Sequence, residues 1–211
     1  MRNHIRFIVY LVLAFQLSLA VAGSFEDFFI YIRNDNATAL ADLLKRGFDV
    51  NTRDERGQSG LVLALQEQSP KAIRLLLAQP GIDIEAVNKA GESALMMAAL
   101  KGDQASVALL LDRGALVDRP GWTPLHYAAT GPEPALVRLF IDRGARVDAA
   151  SPNGSMPLMM AAQYGAEDSV DLLLQHGADR ERTNDKGLRA IDFAKLAGRD
   201  YLLKRLTPGT R

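Results

Sequence analysis

Glycine recurs in this chain with a period close to 33 residues, and that repetition constrains the fold more than any single motif does. Gly57, Gly91, Gly121, Gly154 and Gly187 each lie two residues ahead of an apolar, alanine-rich stretch: SGLVLAL (59–65), SALMMAA (93–99), TPLHYAA (123–129), MPLMMAA (156–162) and RAIDFA (189–194). A second ladder runs out of phase with the first, in LLKRGFDV (43–50), LLLAQPGIDI (75–84), LLLDRGALVD (109–118), LFIDRGARVD (139–148) and LLLQHGAD (172–179). Two helices per period follow. A pair of short helices cannot bury its apolar face alone, so successive units must stack.

The residue types at each rung have a physical purpose. A glycine directly after a leucine-rich helix can adopt the left-handed conformation that ends it, and the other glycine supplies a tight turn before the next helix. Gly47, Gly114, Gly144 and Gly177 are the predicted helix stops, with Gly81 displaced by one inserted residue at Gln79–Pro80. Thr123 stands where an N-cap belongs and Pro124 where the first helical residue belongs. Ala64, Ala98, Ala99, Ala128, Ala129, Ala161, Ala162 and Ala194 keep the first helix of each unit thin, and Leu76, Leu109, Leu139 and Leu172 are expected to give the second its buried bulk. Ser59, Ser93 and Ser155 are expected to act as caps near the helix starts. The step from Gly91 to Gly121 is 30 residues against 33 or 34 elsewhere, so the turn carrying Arg119 and Pro120 is predicted to be shorter than its neighbours.

GWTPLHYAA (121–129) followed by LFIDRGARVD (139–148) closely resembles the ankyrin repeat, whose signature includes TPLHxA and a following LLxxGA. The resemblance covers nearly all of residues 24–206 and implies an all-α solenoid of about six helix-turn-helix units with projecting turns. The units are placed at 24–53, 54–87, 88–118, 119–150, 151–183 and 184–211. The first and last depart from the motif and read as end caps.

Ahead of the repeats, Arg2, His4 and Arg6 precede an apolar run from Phe7 to Ala22 that is broken by Gln16 and Ser18 and closes in Ala20-Val21-Ala22. A positive head, an apolar middle and small residues at the exit make a secretory signal peptide over 1–22, with cleavage after Ala22 and a mature ankyrin-repeat domain over 23–211. Retention of this segment as a membrane anchor is the alternative, although 16 mostly apolar residues fall short of the roughly 20 needed to span a bilayer. A short leader of this kind on an ankyrin chain resembles exported bacterial ankyrin-repeat proteins, which implies a periplasmic or secreted location.

Chemistry is sparse. The formal charge is zero, and the 25 basic side chains fall to 23 once the leader is removed, against 25 acidic ones, which argues against nucleic acid as a partner. Cysteine is absent, so disulfides and thiolate chemistry are excluded. His126 occupies a motif position whose side chain, by the resemblance, bonds neighbouring backbone and the threonine that opens the helix. Asp112, Asp118, Asp142, Asp148 and Asp179 recur with the repeat, as turn-stabilising or solvated residues do. No catalytic constellation, metal site or cofactor motif is found.

The resemblance implies a non-enzymatic protein-binding module that acts through its concave side, made by turn tips and exposed positions of the first helices, and the chain is expected to be a monomer. Carried over residue by residue, that surface includes Lys89, Glu92, Leu100, Arg119, Trp122, Tyr164 and Leu188. Leu100, Trp122, Tyr164 and Leu188 are expected to form one apolar patch, and Trp122, Tyr164 and Arg119 a binding hot spot, since aromatic residues beside arginine are common affinity anchors.

Overall fold

The computed structural model describes residues 23–207, whose regular structure is helical apart from two isolated antiparallel bridges, Arg53 with Ser59 and Val87 with Ser93. The leader expected over 1–22 lies outside the described residues. The chain divides into two compact units between Ile82 and Asp83.

In the N-terminal unit, α1 (residues 23–33) and α2 (Ala37–Lys45) precede the pair α3 (Gly60–Gln66) and α4 (Pro70–Leu77). Phe28, Ile32, Leu40, Leu43, Leu61, Leu65 and Leu76 are its fully buried large side chains. The ring of Phe28 occupies the space a side chain at residue 60 would need: a Cβ on Gly60 would lie 2.6 Å from it. Ser69 precedes α4 without capping it by its side chain. Asp35 supplies the cap from the preceding repeat, its Oδ1 accepting from the backbone N–H groups of Lys71 at 2.8 Å and Ala72 at 2.9 Å.

The C-terminal unit repeats the helix pair: α5 (Ala94–Lys101) with α6 (Gln104–Asp112), α7 (Pro124–Thr130) with α8 (Pro134–Asp142), and α9 (Pro157–Gln163) with α10 (Glu167–Gln175). It ends in α11 (Ala190–Leu196), a 3-10 turn at Asp200–Leu202 and α12 (Leu203–Leu206). The first helices stack in the order α5, α7, α9, α11, with α8 packed on α10 behind them. Ala98, Ala128, Ala129, Ala161, Ala162 and Ala194 are all at most 1% exposed, which lets neighbouring helices approach closely. Local chemistry starts these helices as expected at Ser59, Ser93 and Thr123, and the glycines at both ladders hold positive φ, for example +81° at Gly121 and +88° at Gly144.

Two expectations are corrected. The bulk of the second helices comes from the residue four before the glycine, not five: Leu110, Phe140 and Leu173 are fully buried, whereas Leu109 is 42% exposed and Leu139 and Leu172 are half-buried. In the helix with the inserted residue the same site is Leu76, which is buried. Ser155 is buried one residue ahead of the N-cap position, taken by Met156, and its carbonyl instead closes a turn and receives a histidine.

Most turns are small hairpins closed by a backbone bond, Asp54 N–H to Gln58 O, Asn88 to Glu92, Ser151 to Ser155 and Asn184 to Leu188. In the three that open on Asp54, Asn88 and Asn184 that side chain tightens the turn: Asn184 Oδ1 accepts from the N–H groups of Lys186 and Leu188, both at 3.0 Å. Among the described residues no such bond closes 118–122, the turn whose spacing is short. Asp118 there receives the guanidinium of Arg146 instead. Glu85 accepts from Leu116 N–H at 2.9 Å and Asp148 from Asp179 N–H at 3.2 Å, so the recurring carboxylates stitch one turn to the next.

Candidate functional site

The turns and first helices of the C-terminal unit gather aromatic and apolar side chains into one place. The Gly121 turn presents Trp122, α7 presents Tyr127 and Thr130, α9 presents Met160, and Tyr164 follows directly after α9. Trp122 is half-buried, its ring nearly perpendicular both to His126, with centroids 5.1 Å apart, and to Tyr127, 6.5 Å apart. Tyr164 is 62% exposed. A cleft of about 210 Å³ lies between these residues and Leu100. A second, of about 430 Å³, shares Trp122, Met160 and Tyr164 and continues to Leu188, Phe193 and Leu196, with Asn153, Gln163, Asn184 and Lys186 as polar lining.

The structure therefore brings together Leu100, Trp122, Tyr164 and Leu188 from three successive repeats and the turn of a fourth. Arg119 lies apart from the two clefts, its Nη1 3.9 Å from the Glu85 carboxylate. Glu92 has both oxygens engaged: Oε1 accepts the Tyr127 hydroxyl at 3.0 Å and Oε2 the Asn88 amide at 2.7 Å. Lys89 is exposed at its turn tip and lines neither cleft. Sequence reasoning passed over Tyr127, Met160 and Phe193. All three occupy the fourth place after the capping position, a site that Met97 also fills, so the repeat register itself held the signal.

His126 forms the back of the smaller cleft and is 1% exposed. Its Nδ1 accepts from Thr123 N–H at 3.2 Å and lies 2.9 Å from the Thr123 hydroxyl, while Nε2 donates to the Ser155 carbonyl at 3.0 Å. Burial lowers its pKa from 6.5 to about 4, against the opposing pull of the Ser155 and Ala149 carbonyls and the Asp118 charge. It is neutral at physiological pH and fastens one repeat to the next. Tyr127 is pushed upward by burial and by the adjacent Glu92, so it keeps its proton. A groove of about 1000 Å³ in the N-terminal unit is larger, lined by Phe25, Phe29, Ile30 and Leu63 with Glu26, Arg33 and Glu67 among its charged residues. Among the described residues no three His, Asp or Glu side chains converge to hold a metal ion, and no helix is long and apolar enough to cross a membrane.

Stacked helix pairs with projecting turns define a helical repeat protein. The chain belongs to the ankyrin-repeat family: the family described as Ankyrin repeats (3 copies) matches residues 28–120 and 115–184. Ankyrin repeats mediate protein–protein interaction and are generally non-enzymatic. The chain is 38% identical over 149 residues to human B-cell lymphoma 3 protein, covering 67% of this chain and 33% of that one. It is 30% identical over 175 residues to human SH3 and multiple ankyrin repeat domains protein 2, covering 81% of this chain and 10% of that one. It thus spans about a third or less of these relatives' lengths. The fold also matches a chain in the structure of Bd0816 predatory endopeptidase from Bdellovibrio bacteriovorus in complex with immunity protein Bd3460, with a TM-score of 0.70, 24% identity and coverage of 85% of this chain and 95% of that one.

Proposed function

We propose that this chain is an exported, non-enzymatic binding module that recognises a partner protein, as a monomer, on the concave side of its C-terminal repeats. The observation that carries the reading is Tyr164, 62% exposed across an apolar cleft from Trp122. An exposed aromatic residue beside a half-buried one, framed by Leu100, Leu188 and Leu196, has the composition of an interface anchor. Glu92 and His126 beside it serve the scaffold, through bonds to Tyr127 and Asn88 and to Thr123 and Ser155. The leader-like residues 1–22 support action in the periplasm or outside the cell, and the fold match to a complex between an endopeptidase and an immunity protein supports a protein partner.

The test is capture from a periplasmic extract of the source organism with the mature chain, alongside Trp122→Ala and Tyr164→Ala. Loss of one captured protein by both variants supports the reading. Capture indifferent to both moves the contact to another surface. The mass of the mature chain separates export from tethering: retention of residues 1–22 would make the protein a membrane-anchored scaffold.

A further inference from the structure

We infer that the cleft bounded by Trp122, Tyr127 and Tyr164 is an aromatic box that receives a cationic side chain, arginine or lysine, of the bound partner; this rests on the protein-binding reading above. Trp122 and Tyr127 meet at 83° with centroids 6.5 Å apart, which makes two walls of a corner. Tyr164 forms a third side, and Leu100, Met160, His126 and Thr130 complete the lining. The faces of such rings carry negative potential and attract a cation held within about 6 Å of the ring centre, Trp most strongly. At about 210 Å³ the space takes one such head group and the end of its stem.

Charge points the same way. The Glu92 carboxylate accepts the Tyr127 hydroxyl at 3.0 Å, which sets a negative charge against one wall and enriches that ring. Among the described residues no lysine or arginine lines the cleft, and the imidazole at its back is neutral because burial disfavours its charged form. An aliphatic side chain would gain the apolar contact but leave the ring faces without an electrostatic partner.

Random peptides displayed on phage and selected on the mature chain provide the test. The enriched peptides are expected to share an arginine or lysine. Replacing it with the neutral isosteres citrulline or norleucine should weaken binding about tenfold. Tyr164→Leu and Glu92→Gln should each remove part of that preference while thermal melts confirm that both variants remain folded. A shared apolar residue at that place, or equal binding of the citrulline peptide, overturns the inference. Saturable binding of choline without a cationic preference among peptides also overturns it, in favour of a free quaternary ammonium. If no peptide is enriched while capture of a partner still depends on Trp122, the box fails and the concave-face reading stands; if capture ignores Trp122, the underlying reading fails as well.

Discussion

His126 Nε2 donates a 3.0 Å hydrogen bond to the carbonyl of Ser155, 29 residues further along, while the same ring accepts from Thr123 at the start of its own helix. One imidazole thus caps a helix and joins two repeats. Burial disfavours its charged form, so its pKa falls to about 4 from 6.5. The unfolded chain therefore binds more protons between these values, and stability is present above pH 6.5 and declines as pH falls toward 4. The loss from this group approaches about 3 kcal/mol. Urea titrations at stepped pH should show that decline, and His126→Leu should flatten it while costing about 1–3 kcal/mol at neutral pH, because the Thr123 amide loses its acceptor. An unchanged acid limb in the variant would refute this account.

Asp35 caps α4 from the preceding repeat, so its removal should act on a helix that lies 36 residues away in sequence. Asp35→Ala is expected to cost about 1–2 kcal/mol in denaturant unfolding. Asp35→Asn keeps an acceptor and tolerates the positive φ of 50° at this position, and should be close to neutral. Equal losses from both would place the effect elsewhere.

Two glycines should fail for different reasons. A Cβ on Gly165 would lie 2.0 Å from the Ala129 carbonyl oxygen, which belongs to the neighbouring repeat's backbone and cannot swing away. Gly165→Ala is expected to cost about 3 kcal/mol through that clash. At Gly144 a Cβ meets nothing within 4 Å, and the penalty comes from φ +88° alone, about 1–2 kcal/mol. Thermal melts of the pair that rank them in the reverse order would contradict the packing described above.

Tyr164→Ala separates binding from folding. With the residue 62% exposed, stability should change by less than about 0.5 kcal/mol. Affinity for a captured partner should fall about tenfold or more. A variant that unfolds more readily but binds equally well would make Tyr164 a packing residue.

The helix pairs, their glycine stops and the Thr123–His126 start were legible because each depends on local chemistry repeated at a fixed spacing. The face each second helix buries was not. In runs such as Leu109-Leu110-Leu111 and Leu172-Leu173-Leu174, three consecutive leucines fit the apolar stripe, and only packing, of α6 on α5 and of α10 on α8 and α9, selects Leu110 and Leu173. Phe140, single among smaller residues, held the clue to the register. The cleft was half legible. Leu100, Trp122, Tyr164 and Leu188 follow from repeat positions, but Arg119 turns toward Glu85, and Glu92 is committed to Tyr127 across a repeat boundary. Such pairings depend on side chains about 30 residues apart, which a periodicity aligns but does not connect.

Trp122 is the one tryptophan in 211 residues, and it lies half-buried at the junction of the two clefts. The indole emission of the whole protein therefore originates at the surface where recognition is proposed. Occupation of the cleft changes the solvent around that ring and reports itself as a spectral shift without any label, while loosening confined to the N-terminal unit leaves that emission unchanged. The molecule carries its own optical gauge, pointed at one face.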